Sequence, residues 1–167
     1  MPKPFAACAV LLALFAAPGR TAPAPNAAPA PQGADVAIIV NQKNQTRDLS
    51  FNNLRKLFMA ERGQWPDGTK VVVAMRQPAG QPEREAVLRA VYNWNEDYYR
   101  TYFRQGRFNE SITTVPRELN STYAMIQYVH YTPGAIGYVR ADQVDYSKVN
   151  VLSVDGRKPG EAGYRIR

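Results

Sequence analysis

The segment MRQPAGQPEREAVLRAV, residues 75–91, carries the residue types and spacing best suited to chemistry. A strand-like apolar run, Lys70–Met75, leads into Arg76, a short Pro/Gly turn and then a helical pattern. Backbone N–H groups at a helix N-terminus, together with an arginine guanidinium, form a common binding site for anions. The junction Arg76–Gln81 is therefore a candidate anion-binding loop.

A purely structural interpretation of this loop also stays open. In that interpretation Gly80 only serves the turn, and Arg76 forms an ion pair with Glu83 or Glu85 on the following helix. An arginine neutralised by a local carboxylate has little attraction left for an external anion.

The sequence offers no arrangement typical of catalysis. His130 is the only histidine and Cys8 the only cysteine, so neither a nucleophile–histidine pair nor a zinc site is expected in the exported protein. No Gly-rich nucleotide-binding motif is present. His130 is expected in the last turn of a helix, where it interacts with the helix dipole. We expect no catalytic residue, no metal and no cofactor.

Residues 1–22 have the layout of a secretory signal peptide. Lys3 precedes the apolar run Phe5–Ala17, which is too short to span a bilayer, and small residues follow near a cleavage site at Thr21–Ala22. Cys8 lies inside the apolar run rather than after it, so lipid anchoring is not expected. The sequence thus predicts an exported protein.

The rest of the chain divides into a tether and one folded unit. Residues 23–34 are rich in Ala and Pro and predict a disordered tether. Residues 35–156 are long enough for one domain, and residues 157–167 predict a basic surface tail. The formal net charge is +7, but the positive residues are scattered, so nucleic acid is not an expected partner.

Apolar runs alternate with helical patterns along the folded unit. This alternation predicts an α/β sandwich around one mixed sheet. Helices are expected after the caps Ser50 and Asn120 or Ser121, with Gly63 and Gly106 ending two of the helices. The predicted strands are 36–41, 70–75, 135–139 and 149–154, and the segment FNESITTVPREL, residues 108–119, has only weak strand content.

Two segments in order, LSFNNLRKLFMAERGQWPDGTKVVVAMRQPAG and later PGAIGYV, resemble the periplasmic phosphate-binding proteins of ABC transporters. These belong to the type 2 periplasmic-binding superfamily, and the resemblance covers Val36–Val154. It implies a three-layer sandwich with a mixed sheet, corresponding to one lobe of a type 2 periplasmic-binding fold. It also implies a periplasmic location, phosphate or a similar oxyanion as ligand, and no catalysis.

The resemblance carries over to the loop only in part. In the family the loop reads Arg, three residues, then Ser-Gly-Thr, and its hydroxyls donate to phosphate. Arg76 and Gly80 match, whereas Ala79 and Gln81 stand at the Ser and Thr positions in a loop one residue shorter. The ligand-binding residues implied are therefore Arg76, Ala79, Gly80 and Gln81, with Ser50 as a helix cap and an additional contact.

Two functions follow from these observations. The first is an exported lobe that binds phosphate weakly or assists its transport, with a homodimer or another protein completing the site. An arginine–anion pair at ~4 Å is worth about 4 kcal/mol at an effective dielectric of 20 but about 1 kcal/mol in water. Micromolar affinity needs about 8 kcal/mol, so a lone lobe is expected to bind in the millimolar range.

The alternative is a protein-interaction module that has lost ligand binding and docks onto a membrane transporter, porin or sensor of the cell envelope. The tyrosines Tyr92, Tyr98, Tyr99 and Tyr102 recur at helical spacing, and any exposed remainder would suit an interface. Arg76 held by a local carboxylate, together with an exposed aromatic patch, would favour this alternative.

Overall fold

A computed structural model describes residues 35–112 and 114–167 of the chain. The predicted signal peptide and tether, residues 1–34, lie outside the described residues. The strands are β1 Val36–Asn41, β2 Asp48–Leu49, β3 Val72–Arg76, β4 Arg117–Leu119, β5 Ala135–Arg140, β6 Val149–Val151 and β7 Ser153–Val154. The helices are α1 Phe51–Phe58, α2 Pro82–Val87, a π-helical continuation Leu88–Tyr92, α3 Glu96–Phe108, α4 Thr122–Tyr131 and a 3₁₀ turn Ala141–Gln143.

Five strands form a mixed sheet in the order β4-β3-β5-β1-β6. β3 is parallel to both β4 and β5, whereas β1 is antiparallel to β5 and β6. Because β3, β4 and β5 run in one direction, their carboxyl ends lie at the same edge of the sheet. That edge receives the loop after Arg76.

The sheet lies between two helical layers, which confirms the predicted three-layer α/β sandwich. On β1, Val36, Ile38 and Val40 belong to the core cluster formed with α1, α2 and α3. The intervening Ala37 and Ile39 belong to the cluster formed with α4. Covering both faces explains why β1 is an almost continuous apolar run.

Helix starts agree with the predicted caps, but two helix ends do not agree with the predicted glycines. Ser50 Oγ accepts from the Asn53 N–H at 3.3 Å, and Ser121 caps α4 in the same way. α1 ends at Phe58 rather than at Gly63, because Ala60 takes a left-handed conformation with φ +60°.

Gly106 does not end α3, which continues to Phe108. The role of Gly106 is close packing: a Cβ at this position would lie 2.3 Å from Ile112 Cδ1. The glycine therefore admits the following loop against the helix instead of terminating it.

The strand predicted over 149–154 is split between two sheets. β6 continues the central sheet beside β1, whereas β7 pairs in parallel with β2 in a separate two-stranded sheet. Leu152 between them is fully buried. The change of partner at Leu152 cannot be read from the uniform apolar pattern.

The predicted basic surface tail requires correction at two residues. Residues 157–163 are largely exposed, but Tyr164 and Ile166 are buried in the core. The Val36 N–H donates to the Ile166 carbonyl at 3.0 Å, and the Tyr164 hydroxyl donates to the Val36 carbonyl at 2.7 Å. These apolar and backbone contacts tie the last residues to the start of β1.

Candidate functional site

The candidate site lies where two adjacent parallel strands end. Arg76 is the last residue of β3 and Arg140 the last residue of β5. Open α/β sheets usually bind ligands in the crevice outside the carboxyl ends of their strands. A cavity of about 380 Å³ lies at this edge, and it is lined by Val36, Pro82, Glu83, Glu85, Ala86, Arg89, Arg140 and Arg167.

Arg76 is almost completely buried, with 6% of the residue exposed. Its Nε donates to Glu83 Oε1 at 3.0 Å, and its backbone N–H donates to the Tyr138 hydroxyl at 3.1 Å. Nη1 is buried and has no hydrogen-bond partner within the described residues. An unsatisfied buried donor costs about 1–3 kcal/mol. Arg76 is not among the residues that line the cavity, whereas its partner Glu83 is.

Glu83 is the local carboxylate that pairs with Arg76, while Glu85 is exposed. Glu83 lies in the first turn of α2, is itself buried and lines the cavity at this edge. Its charge therefore balances that of Arg76. An incoming anion has to share Arg76 with this carboxylate or displace it.

The remaining loop residues offer few donors to a ligand. Ala79 and Gly80 are exposed, and Gly80 has φ +85°, a conformation that favours glycine. Gln81 stands at the N-cap of α2 without a side-chain capping bond. Pro82 follows at the first helical position and has no N–H. The loop thus keeps the arginine and the turn of the family pattern, but not its hydroxyl donors.

Ser50 acts as a helix cap. Its side chain accepts from the Asn53 N–H. Across the described part of the chain, no hydrogen bond joins Ser50 to residues 76–81. The structure therefore brings Arg76, Ala79, Gly80 and Gln81 together on one loop but does not link Ser50 to them.

Sequence reasoning missed Arg84, the residue that holds this edge in place. Arg84 is 1% exposed, and its Nε and Nη2 donate to Glu96 at 2.8 and 2.9 Å. Nη1 donates to the Arg76 carbonyl, and Nη2 lies 3.7 Å from a Glu118 carboxylate oxygen. The guanidinium also lies 4.9 Å from the centroid of the Tyr99 ring. Arg84 thus connects the end of β3 with α3 and β4.

Neutralising Glu96 is expected to remove a pH-dependent part of the stability. The hydrogen bond from Arg84, with a further one from Arg100, lowers the pKa of Glu96. The unfolded chain therefore binds more protons, so this contribution is present above the unfolded pKa and is lost as pH falls through the folded pKa. We expect Glu96→Gln to cost about 1–3 kcal/mol at pH 7 and little in acid.

Urea unfolding at a series of pH values measures this effect, with Asp97→Asn as the control because Asp97 is an exposed neighbour on the same helix. An equal loss of stability by Glu96→Gln at pH 7 and in acid would contradict the role given to the Arg84–Glu96 pair.

The predicted tyrosine cluster divides into a buried and a surface half. Tyr92 and Tyr99 lie in the core, where burial raises the pKa of both hydroxyls. Tyr98 is 55% exposed and Tyr102 is half-buried. Trp94 packs on both of these rings, with centroid distances of 4.9 and 4.6 Å. Trp94, Tyr98 and Tyr102 form an aromatic surface cluster.

The described residues show neither a group of side chains suited to hold a metal ion nor a helix long and apolar enough to cross a membrane. His130 lies in the last turn of α4, as predicted, with Nδ1 2.9 Å from the Lys148 carbonyl oxygen.

Comparison with solved structures relates the fold to phosphate-binding proteins. A phosphate ABC transporter substrate-binding protein from Clostridium perfringens, solved with bound phosphate, is 20% identical and has a TM-score of 0.60 over 75% of this chain and 46% of its own. An ABC-type phosphate transport receptor from Vibrio cholerae is 20% identical, with a TM-score of 0.60 over 75% of this chain and 48% of its own. PstS from Borrelia burgdorferi is 17% identical, with a TM-score of 0.57 over 75% of this chain and 49% of its own.

This chain spans about half the length of these proteins. No family model matches the sequence, and neither does any curated protein. The comparisons confirm the predicted fold, one lobe of the type 2 periplasmic-binding architecture.

Proposed function

We propose that this chain is a weak oxyanion-binding lobe, in which phosphate or a similar anion competes with the Glu83 carboxylate for Arg76. The observation that carries this proposal is the buried Nη1 of Arg76, a charged donor without an acceptor among the described residues. Its position at the carboxyl ends of parallel strands supports the proposal, as does the fold shared with phosphate-binding proteins.

The site has features that keep the affinity low. Glu83 already contributes one negative charge to Arg76, and the loop lacks the hydroxyl donors of the family pattern. The described residues form one lobe, and this chain spans about half the length of its structural neighbours, so an anion bound to this lobe alone stays in contact with water. We propose a periplasmic location. We also propose that a second copy of the chain, or an envelope membrane protein, covers the bound anion.

Calorimetric titration with phosphate at low salt tests this function. We expect the wild-type chain to bind with a dissociation constant in the millimolar range, which is about 4 kcal/mol. The variant Arg76→Ala/Glu83→Ala should not bind, and it avoids leaving either charge buried alone. Arg62→Ala is the control. It also removes one positive charge, but Arg62 lies before the start of β3, whereas Arg76 lies at its carboxyl end. Absence of saturable heat from the wild type up to several tens of millimolar phosphate would contradict the proposal.

A second candidate function is an interaction module without a ligand. The Arg76–Glu83 ion pair and the aromatic surface cluster favour it. Such a module would give no heat with phosphate in the wild type or in any Glu83 variant, so the same titration separates the two functions. No catalytic role is proposed.

A further inference from the structure

A second groove lies between α3 and the edge strand β4. Its volume is about 680 Å³, and its apolar lining comes from α3, β3 and α4. These apolar side chains are Val72, Tyr99, Phe103 and Tyr128. Val115 and Pro116 line it from the segment that leads into β4. The groove contains none of the residues 76–83.

Four arginines also line this groove: Arg100, Arg104, Arg107 and Arg117. The first three recur at spacings of four and three, so they lie on one face of α3. Arg104, Arg107 and Arg117 are exposed, and no carboxylate within the described ranges lies within 4 Å of their guanidinium groups.

The acidic side chains around the groove are already paired. Glu118 lines the groove, and its Oε1 lies 3.7 Å from Arg84 Nη2. Glu96 accepts from Arg84 and from Arg100. The positive charge of the other three arginines is therefore not balanced locally, and the groove is complementary to negative charge.

The groove also follows an edge of the sheet. In the part of the chain described by the structure, β4 pairs with β3 and with no other strand. Its outer edge thus presents backbone N–H and C=O groups that can pair with an additional strand. Extended peptides bind to such edges through backbone hydrogen bonds, and neighbouring pockets select their side chains.

We infer that this groove binds an extended acidic segment of a partner polypeptide, which aligns with β4 and places carboxylates against Arg104, Arg107 and Arg117. Residues 100–107 rise about 10 Å along α3, which matches about three residues of extended chain. The apolar lining then receives the alternate side chains of the segment. This inference does not depend on phosphate binding at Arg76.

Fluorescence anisotropy with a labelled octapeptide of alternating Asp and Val tests the inference on the full chain. We expect saturable binding of this peptide and no binding of the matched peptide of alternating Asn and Val. Arg104→Glu/Arg107→Glu should weaken binding at least tenfold. Lys56→Glu/Lys158→Glu is the matched control, because both lysines are exposed, lie outside the groove and change the net charge equally. The control should retain the wild-type affinity within about twofold.

Three results would overturn the inference. One is equal weakening by the groove variant and by the control, which would show that only the net charge of the chain matters. Another is undiminished binding of the acidic peptide after methylation of its backbone nitrogens, since β4 pairing requires the N–H groups. The third is tighter binding of inorganic polyphosphate than of the peptide, which would identify a polyanion groove. Unchanged circular dichroism and melting temperature establish that the groove variant is folded.

Discussion

Replacing Glu83 with alanine is expected to lower the free energy of unfolding by about 3–5 kcal/mol, because it leaves Arg76 buried without a counter-charge. The Arg76 side chain is 8% exposed and its Nη1 already lacks a partner in the described residues, so Glu83→Ala removes the hydrogen-bond acceptor that the described residues provide to the guanidinium. Urea denaturation at pH 7 measures the change.

The double variant Arg76→Ala/Glu83→Ala provides the control for this prediction. Removing both charges together should cost less than removing Glu83 alone, because no unpaired charge remains in the interior. A loss below about 1 kcal/mol for Glu83→Ala, or a double variant less stable than the single one, would contradict a tightly coupled buried pair.

Replacing Ile166 with alanine is expected to cost about 2–5 kcal/mol, the usual range for truncating a buried isoleucine. Ile166 is 0% exposed and belongs to the same core cluster as Val36, Ile38 and Val40 of β1. Urea denaturation of Ile166→Ala measures the loss, and Arg157→Ala serves as the control at an exposed tail position.

The control should stay within about 0.5 kcal/mol of the wild type. If Ile166→Ala proved as harmless as Arg157→Ala, the C-terminal residues would form a dispensable surface tail, as the sequence alone predicts.

The features predicted correctly from the sequence are those encoded locally. The uniform apolar run of Val36–Asn41 predicts a strand covered on both faces. Ser50 predicts the start of α1, and Asn120 or Ser121 predicts the start of α4, where the structure selects Ser121 as the cap. The order of the motifs from Leu49 to Gly80, followed by PGAIGYV, predicts the fold of one lobe. The structural neighbours confirm this fold.

The features that sequence reasoning missed depend on contacts between distant residues. Arg84 is buried because carboxylates 12 and 34 positions away reach it, and a helical pattern treats such an arginine as solvent-exposed. Tyr164 and Ile166 alternate with polar residues near the chain end, where their hydrogen bonds to Val36 of β1 cannot be foreseen. Gly106 serves a contact with Ile112 rather than a helix end.

The candidate site combines both kinds of feature. The loop and its arginine follow from the strand-to-helix pattern, and pairing with Glu83 or Glu85 is a foreseeable alternative at that spacing. The choice of Glu83, and the unsatisfied Nη1 of Arg76, follow only from the way α2 packs over the end of β3.

Titration of Glu83→Gln with phosphate, beside the wild type, tests the competition at Arg76 most directly. Glutamine keeps the size of the side chain and removes its charge, so an incoming anion would become the main counter-charge of Arg76. We predict that phosphate binds this variant at least tenfold more tightly than the wild type, a gain of about 1.4 kcal/mol. Equal or weaker phosphate binding by folded Glu83→Gln would contradict the proposed competition.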